Sequence, residues 1–204
     1  MIRVAEEGGV WTLTLDRPDK ANSLTAAMLE SLIEAVDRLQ AAEARVMILT
    51  GTGRVFSAGA DLDEARAGLA TSPLWEQLSG RIAALPCLSI AALNGTLAGG
   101  AFGMALACDL RLAVPGAKFF YPVMKLGFLP QPSDPARLAT LTGPARAKMI
   151  LMTGARVEAD EALAWGLVDR ICPAEVLLGE ARALAGDAAG ASAVHVAAIK
   201  GLIR

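Results

Sequence analysis

Between Arg81 and Asp109 the chain reads IAALPCLSIAALNGTLAGGAFGMALAC (residues 82–108), about 27 positions without a charged side chain, more than the ~20 apolar residues that cross a bilayer. Its punctuation argues against a membrane span. Pro86, Asn94-Gly95 and Gly99-Gly100 stand at turn positions and divide the run into a buried strand over Leu88–Leu93, a tight turn, and a buried helix opened by the glycine pair. A strand apolar at nearly every position is covered on both faces, as the strands of parallel sheets are.

Towards the N-terminus the same logic repeats. Val46–Thr50 is a second short apolar run, closed by Gly51-Thr52-Gly53. Before it, Met28, Leu29, Leu32, Ile33, Val36 and Leu39 recur at helical spacing, which predicts one amphipathic helix from Thr25, as N-cap, to about Ala44. Val10–Leu15 alternates as a strand and Asp16-Arg17-Pro18-Asp19-Lys20 ends it in a polar turn. Towards the C-terminus, helices are predicted over Asp134–Leu141, Ala145–Thr153 and Ala159–Trp165, closed by Gly143, Gly154 and Gly166, each suited to a left-handed cap. A strand over Leu167–Ile171 and two further helices follow. Strands alternating with helices predict the α/β class with a mainly parallel sheet. Neither a linker nor an internal repeat is visible in the text.

Composition narrows the partners. A chain of 204 residues, 54% hydrophobic and 20% charged, is far from the disordered class and long enough for a full core. A net charge of -2 gives no electrostatic reason to expect nucleic acid or an anionic membrane as a partner, since both call for clustered basic residues. Cys87, Cys108 and Cys172 are far apart, odd in number and set in apolar text, which predicts buried thiols in a reducing compartment rather than disulfides or a metal site. The N-terminus shows no basic segment followed by an apolar one, and a cytoplasmic location is expected.

Two glycine-rich turns are the candidate chemistry. Ser57-Ala58-Gly59-Ala60-Asp61-Leu62, after Phe56, lies between a strand and a helix, and its small residues let backbone N–H groups approach a ligand. Gly99-Gly100 opens a helix, whose first amides are unpaired and carry the positive end of the dipole. Together they could hold an oxygen that becomes negative, as in a thioester enolate, although glycine-rich turns also serve close helix–sheet packing.

FSAGADL (56–62) and LNGTLAGGAFGMALACDLRLA (93–113) resemble the enoyl-CoA hydratase/isomerase (crotonase) superfamily. The resemblance extends through LDRPDKANSL (15–24), KLGFLP (125–130) and TGARVEADEALAWGLVDRICP (153–173), in order and spacing, over nearly the whole chain. It implies a crotonase-like spiral of ββα units over 1–190, with a shortened C-terminal helical region beginning at 191–204, and assembly as a homotrimer or a hexamer. It implies that the amides of Ala58 and Gly100 form an oxyanion hole for an acyl-CoA carbonyl, and that the segment Ser57 to Leu62, with Gly99 and Gly100, contacts that substrate. Coenzyme A would be part of the substrate, with no separate cofactor and no metal.

The acids of the family pattern are missing. Where hydratases of this family place their two Glu residues stand Gly103 and Val123, and where some isomerases place a carboxylate stands Gln131. None of the three exchanges protons as a carboxylate does. Hydratase, isomerase, decarboxylase and thioesterase chemistry stay open, as does a non-catalytic acyl-CoA binding or assembly subunit. Substitute acids or bases are sought in Asp63, Glu64, Tyr121 and Asp134. Each has a structural reading as well: Asp63 and Glu64 in a first helical turn, Asp134 at a helix start, Tyr121 as a core aromatic. His195 reads as a surface or packing residue of the last helix, and Arg17 and Lys20 as a solvated turn or as contacts to CoA phosphates.

Overall fold

The computed structural model describes residues 1–203. Strands β1 (Ile2–Glu7) and β2 (Val10–Leu15) form an antiparallel hairpin, with Glu7 opposite Val10. A polar turn leads into α1 (Ala26–Ala41), where Thr25 Oγ1 accepts from the Met28 amide at 3.2 Å as predicted. This helix buries Met28, Leu29, Leu32, Val36 and Leu39. It stops before the predicted Ala44, because Glu43 adopts φ 51° and turns the chain into the next strand.

Three ββα units follow. β3 (Val46–Gly51) and β4 (Val55–Ser57) precede α2 (Leu62–Arg66) and α3 (Leu74–Ala84). β5 (Leu88–Leu93) and β6 (Thr96–Ala98) precede one 3₁₀ turn and α4 (Phe102–Ala107). β7 (Leu110–Ala113) and β8 (Lys118–Phe120) precede α5 (Val123–Leu126). The first strand of each unit enters a six-stranded sheet of order β1-β2-β3-β5-β7-β10, parallel from β2 onward, and the second enters a four-stranded sheet of order β4-β6-β8-β9. The chain thus winds as a spiral through two sheets, and the repetition invisible in the text is plain in the topology.

The remainder is helical: α6 (Asp134–Thr142), α7 (Pro144–Thr153), β9 (Val157–Glu158), α8 (Ala159–Trp165), β10 (Arg170–Ile171), α9 (Leu177–Leu184), α10 (Gly186–Gly190) and α11 (Ala193–Leu202). The strand predicted over Leu167–Ile171 is shorter than expected, since the Leu167 and Val168 amides both donate to Ala162 O and close α8 instead. Three helices, not two, end the described chain. The last is anchored by Lys200 Nζ, which donates to Cys87 O at 2.8 Å and to Asp109 Oδ2 at 2.7 Å. The expected terminal region runs to Arg204, which lies outside the described residues.

The core is continuous between the sheets and helices, with Leu13, Leu29, Leu49, Phe56, Phe102 and Phe119 fully buried. All three cysteines are buried and unpaired, as expected. Burial pushes the Cys87 thiol up to about 11 and the Cys108 thiol up to about 12, which keeps both protonated. Among the described residues no helix is long and apolar enough to cross a membrane.

Candidate active site

β4 and β6 pair in parallel, so the turns that leave their C-terminal ends lie side by side. Two asparagine side chains brace the β3–β4 connection that leads into the first of these turns. Asn22, fully buried, donates through Nδ2 to Thr52 O at 2.8 Å and Val55 O at 2.7 Å, and Asn94 Oδ1 accepts from the Gly51 amide at 3.0 Å. Gly59, at φ +92°, makes the close approach possible: a Cβ there would lie 3.0 Å from Ala98 O, 3.3 Å from Gly99 Cα and 3.5 Å from Gly100 N. Ser57 Oγ donates to Asn22 O at 2.8 Å and accepts from the Gly59 amide at 3.2 Å. That buried hydroxyl is scaffold.

The amides of the first turn are distributed unevenly. Ala58 N–H donates to Ala21 O at 3.0 Å and Asp61 N–H to Leu24 O at 2.8 Å. The Ala58 amide expected to serve as a donor is therefore already engaged, and the sequence-based assignment needs correction. Ala60 N–H makes no hydrogen bond among the described residues, because the parallel bridge of Leu24 to Ala60 uses the groups of Gly59 and Asp61 on either side. On the second turn Gly100 is the second residue of the helical run beginning at Gly99, a position whose amide has no intrahelical acceptor.

Both turns border a cavity of ≈ 160 Å³. Of the residues expected to bind substrate, Ala58, Ala60, Leu62, Gly99 and Gly100 line it; Ser57, Gly59 and Asp61 do not. Val123 and Gln131 line it as well, whereas Gly103 is buried behind it in α4. Leu62, Leu126 and Leu129 form an exposed apolar border, at 74%, 59% and 88% relative exposure.

Several candidates are drawn away by structural duties. Asp61 caps α2 by accepting from the Asp63 and Glu64 amides, and its carboxylate pairs with Arg17 Nη1 at 2.8 Å, which holds it below its ordinary range. Arg17 is thus an internal tie rather than part of a solvated turn, while Lys20 stays exposed. Asp63 pairs with exposed Arg66, and Glu64 Oε2 accepts from the Ala26 amide at 2.6 Å at the start of α1. His195 is exposed on α11 and borders a separate groove with Asp109 and Lys200.

Tyr121 lines the cavity, and Asp134 is hydrogen-bonded to it without lining the cavity itself. Asp134 begins α6, as its sequence context suggests, yet its side chain is fully buried. Its Oδ2 accepts from Tyr121 Oη at 3.0 Å, and its Oδ1 has no partner. Loss of solvent pushes the carboxyl up to about 7, with the Tyr121 hydrogen bond and Arg137 opposing and Glu76 adding to the rise. Tyr121, itself raised mainly by burial, lines the cavity and stacks on Phe102 with ring centroids 5.3 Å apart. At Gly103 a Cβ would lie 2.9 Å from Asp134 Oδ1, so the missing side chain is what gives the carboxyl its space.

Sequence reading missed α3, which supplies Trp75 to the cavity wall and Glu76 to the Ser133 amide at 3.1 Å. The spacing of Trp75, Leu78 and Ile82, all buried, was the available signal.

A sequence profile described as enoyl-CoA hydratase/isomerase matches residues 5–204. The carnitinyl-CoA dehydratase of Salmonella enteritidis is 37% identical over 214 residues, covering 100% of this chain and 80% of that protein. The crystal structure of an enoyl-CoA hydratase from Bacillus anthracis gives a TM-score of 0.91 at 34% identity, over 99% of this chain and 81% of the other. An enoyl-CoA hydratase/isomerase from Pseudoalteromonas atlantica gives 0.92 at 28% identity, over 99% and 82%.

Proposed function

The chain belongs to the enoyl-CoA hydratase/isomerase family, and on that premise we propose that it binds an acyl-CoA thioester and stabilises the enolate of its acyl group on the amides of Ala60 and Gly100. The observation that carries this reading is the pair of unengaged amides on adjacent βα turns, both bordering one apolar cavity. When an enolate forms, negative charge moves onto the thioester oxygen. Donors already fixed towards that oxygen need no reorganisation, and each such donor lowers the barrier by about 3 kcal/mol. Leu62, Leu126 and Leu129 would cover the apolar part of the pantetheine arm or the acyl chain. Coenzyme A is then part of the substrate, with no further cofactor. A cytoplasmic location and assembly as a trimer or a hexamer belong to the same proposal.

Calorimetric titration with butyryl-CoA and with CoA alone tests it, followed on the same samples by mass-spectrometric detection of crotonyl-CoA hydration and malonyl-CoA decarboxylation. Saturable binding of butyryl-CoA, tighter than CoA, is expected, with turnover of one thioester. Absence of butyryl-CoA binding contradicts the reading. A second reading, a non-catalytic acyl-CoA binding subunit, is favoured by the absence of a carboxylate at Gly103, Val123 and Gln131, and predicts binding without turnover.

A further inference from the structure

We propose that Tyr121 and Asp134 are the proton-transfer pair of this site, Tyr121 meeting the acyl Cα and Asp134 acting behind it as positioning residue and proton acceptor. This rests on the acyl-CoA reading above. Among the described residues that line the cavity, Tyr121 is the only one with a titratable side chain. Its hydroxyl is 3.0 Å from Asp134 Oδ2, within proton-transfer reach.

The second observation is the state of the carboxyl. A buried carboxyl oxygen without a partner costs stability, and buried polar groups in folded proteins are nearly always satisfied. Asp134 Oδ1 is such an exception, in a fully buried side chain. The surrounding elements are arranged to keep it there. α4 presents Gly103, α3 brings Glu76, and α6 itself brings Arg137. The only cation among these is Arg137, and Glu76 is engaged with Ser133. The carboxyl is therefore weakly compensated and titrates near neutrality.

The step balances within the pair and the substrate. With Asp134 ionised, the Cα–H bond breaks and its electron pair forms the enolate, whose charge rests on the thioester oxygen. Tyr121 Oη takes that proton while its own proton passes to Asp134 Oδ2. The reverse movement returns a proton to the carbon, so the pair serves as base and then as acid, as an isomerisation requires.

Uptake of deuterium at Cα of butyryl-CoA in heavy water, read by mass spectrometry, tests the pair without a product being known. The wild type is expected to exchange with a rate that rises through about pH 7, where the carboxylate form takes over. Asp134→Asn and Tyr121→Phe are each expected to slow exchange by about 10²- to 10⁴-fold, with butyryl-CoA affinity by calorimetry nearly unchanged. In Asp134→Asn the residual rate should lose its inflection near pH 7, which a merely structural residue would leave in place. Tyr121→Phe removes one oxygen from the wall and keeps the stacking on Phe102, so it reports even if the Asp134 variant folds poorly. Wild-type exchange in either variant with an unchanged pH profile overturns the pair. Binding of butyryl-CoA by the wild type without Cα exchange also overturns it and leaves the acyl-CoA reading standing; failure of the wild type to bind removes that reading first.

Discussion

Asp134 shows how far a single residue can be read from text. Ser133-Asp134-Pro135 announces a helix start, and α6 begins there. Its burial is not announced, because it packs against Gly103 of α4 and Tyr121, both distant in sequence. The same limit explains the donor on the first turn: FSAGADL locates the turn, but the acceptor that engages Ala58 is Ala21, well upstream in the chain. The raised carboxyl has a thermodynamic consequence. Unfolded, Asp134 ionises near 3.8; folded, it ionises near 7, so between these values the folded state binds more protons. Stability from this group is fully present below about pH 4 and lost as pH rises through about 7, a change of roughly 4 kcal/mol. Urea titrations from pH 4 to 8 are expected to show that decline in the wild type and a flatter profile in Asp134→Asn, which should be the more stable protein at neutral pH. Parallel profiles for the two proteins would contradict the burial of an ionisable Asp134.

Among the elements, those with long periodic runs were legible and the shortest were not. α1 and β5 were read with their caps and turns, since each has five or more apolar positions in register. The second strands of the units, β4, β6 and β8, have three residues each, too few to show a period. The ββα repeat depends on them and was therefore hidden. They also set the site, because parallel pairing of β4 with β6 brings the two amide turns together. Gly59→Ala tests that approach: the new Cβ meets Ala98 O at 3.0 Å and φ +92° disfavours a side chain. A loss of about 1–3 kcal/mol in stability is expected, measured by urea unfolding, together with weaker butyryl-CoA binding. Unchanged binding would separate the turn spacing from ligand recognition.

At the scale of the whole molecule, alternation of strands and helices gave the α/β class, while the two-sheet spiral came from the resemblance and not from periodicity. The topology explains why the chemistry gathers on one side. Each unit delivers a short strand to the four-stranded sheet, and the segments leaving β4, β6 and β8 supply Ala60, Gly100 and Tyr121 to one cavity. The donors and the proton-transfer group proposed above would thus come from three successive turns of the same spiral. The most direct test is isotope-edited infrared spectroscopy of butyryl-CoA, ¹³C-labelled at the thioester carbonyl and bound to the protein. The C=O stretch is predicted to move to lower frequency than in water, as two fixed amides polarise the bond. A bound ligand whose carbonyl absorbs at the frequency of free butyryl-CoA would contradict an oxyanion hole at Ala60 and Gly100.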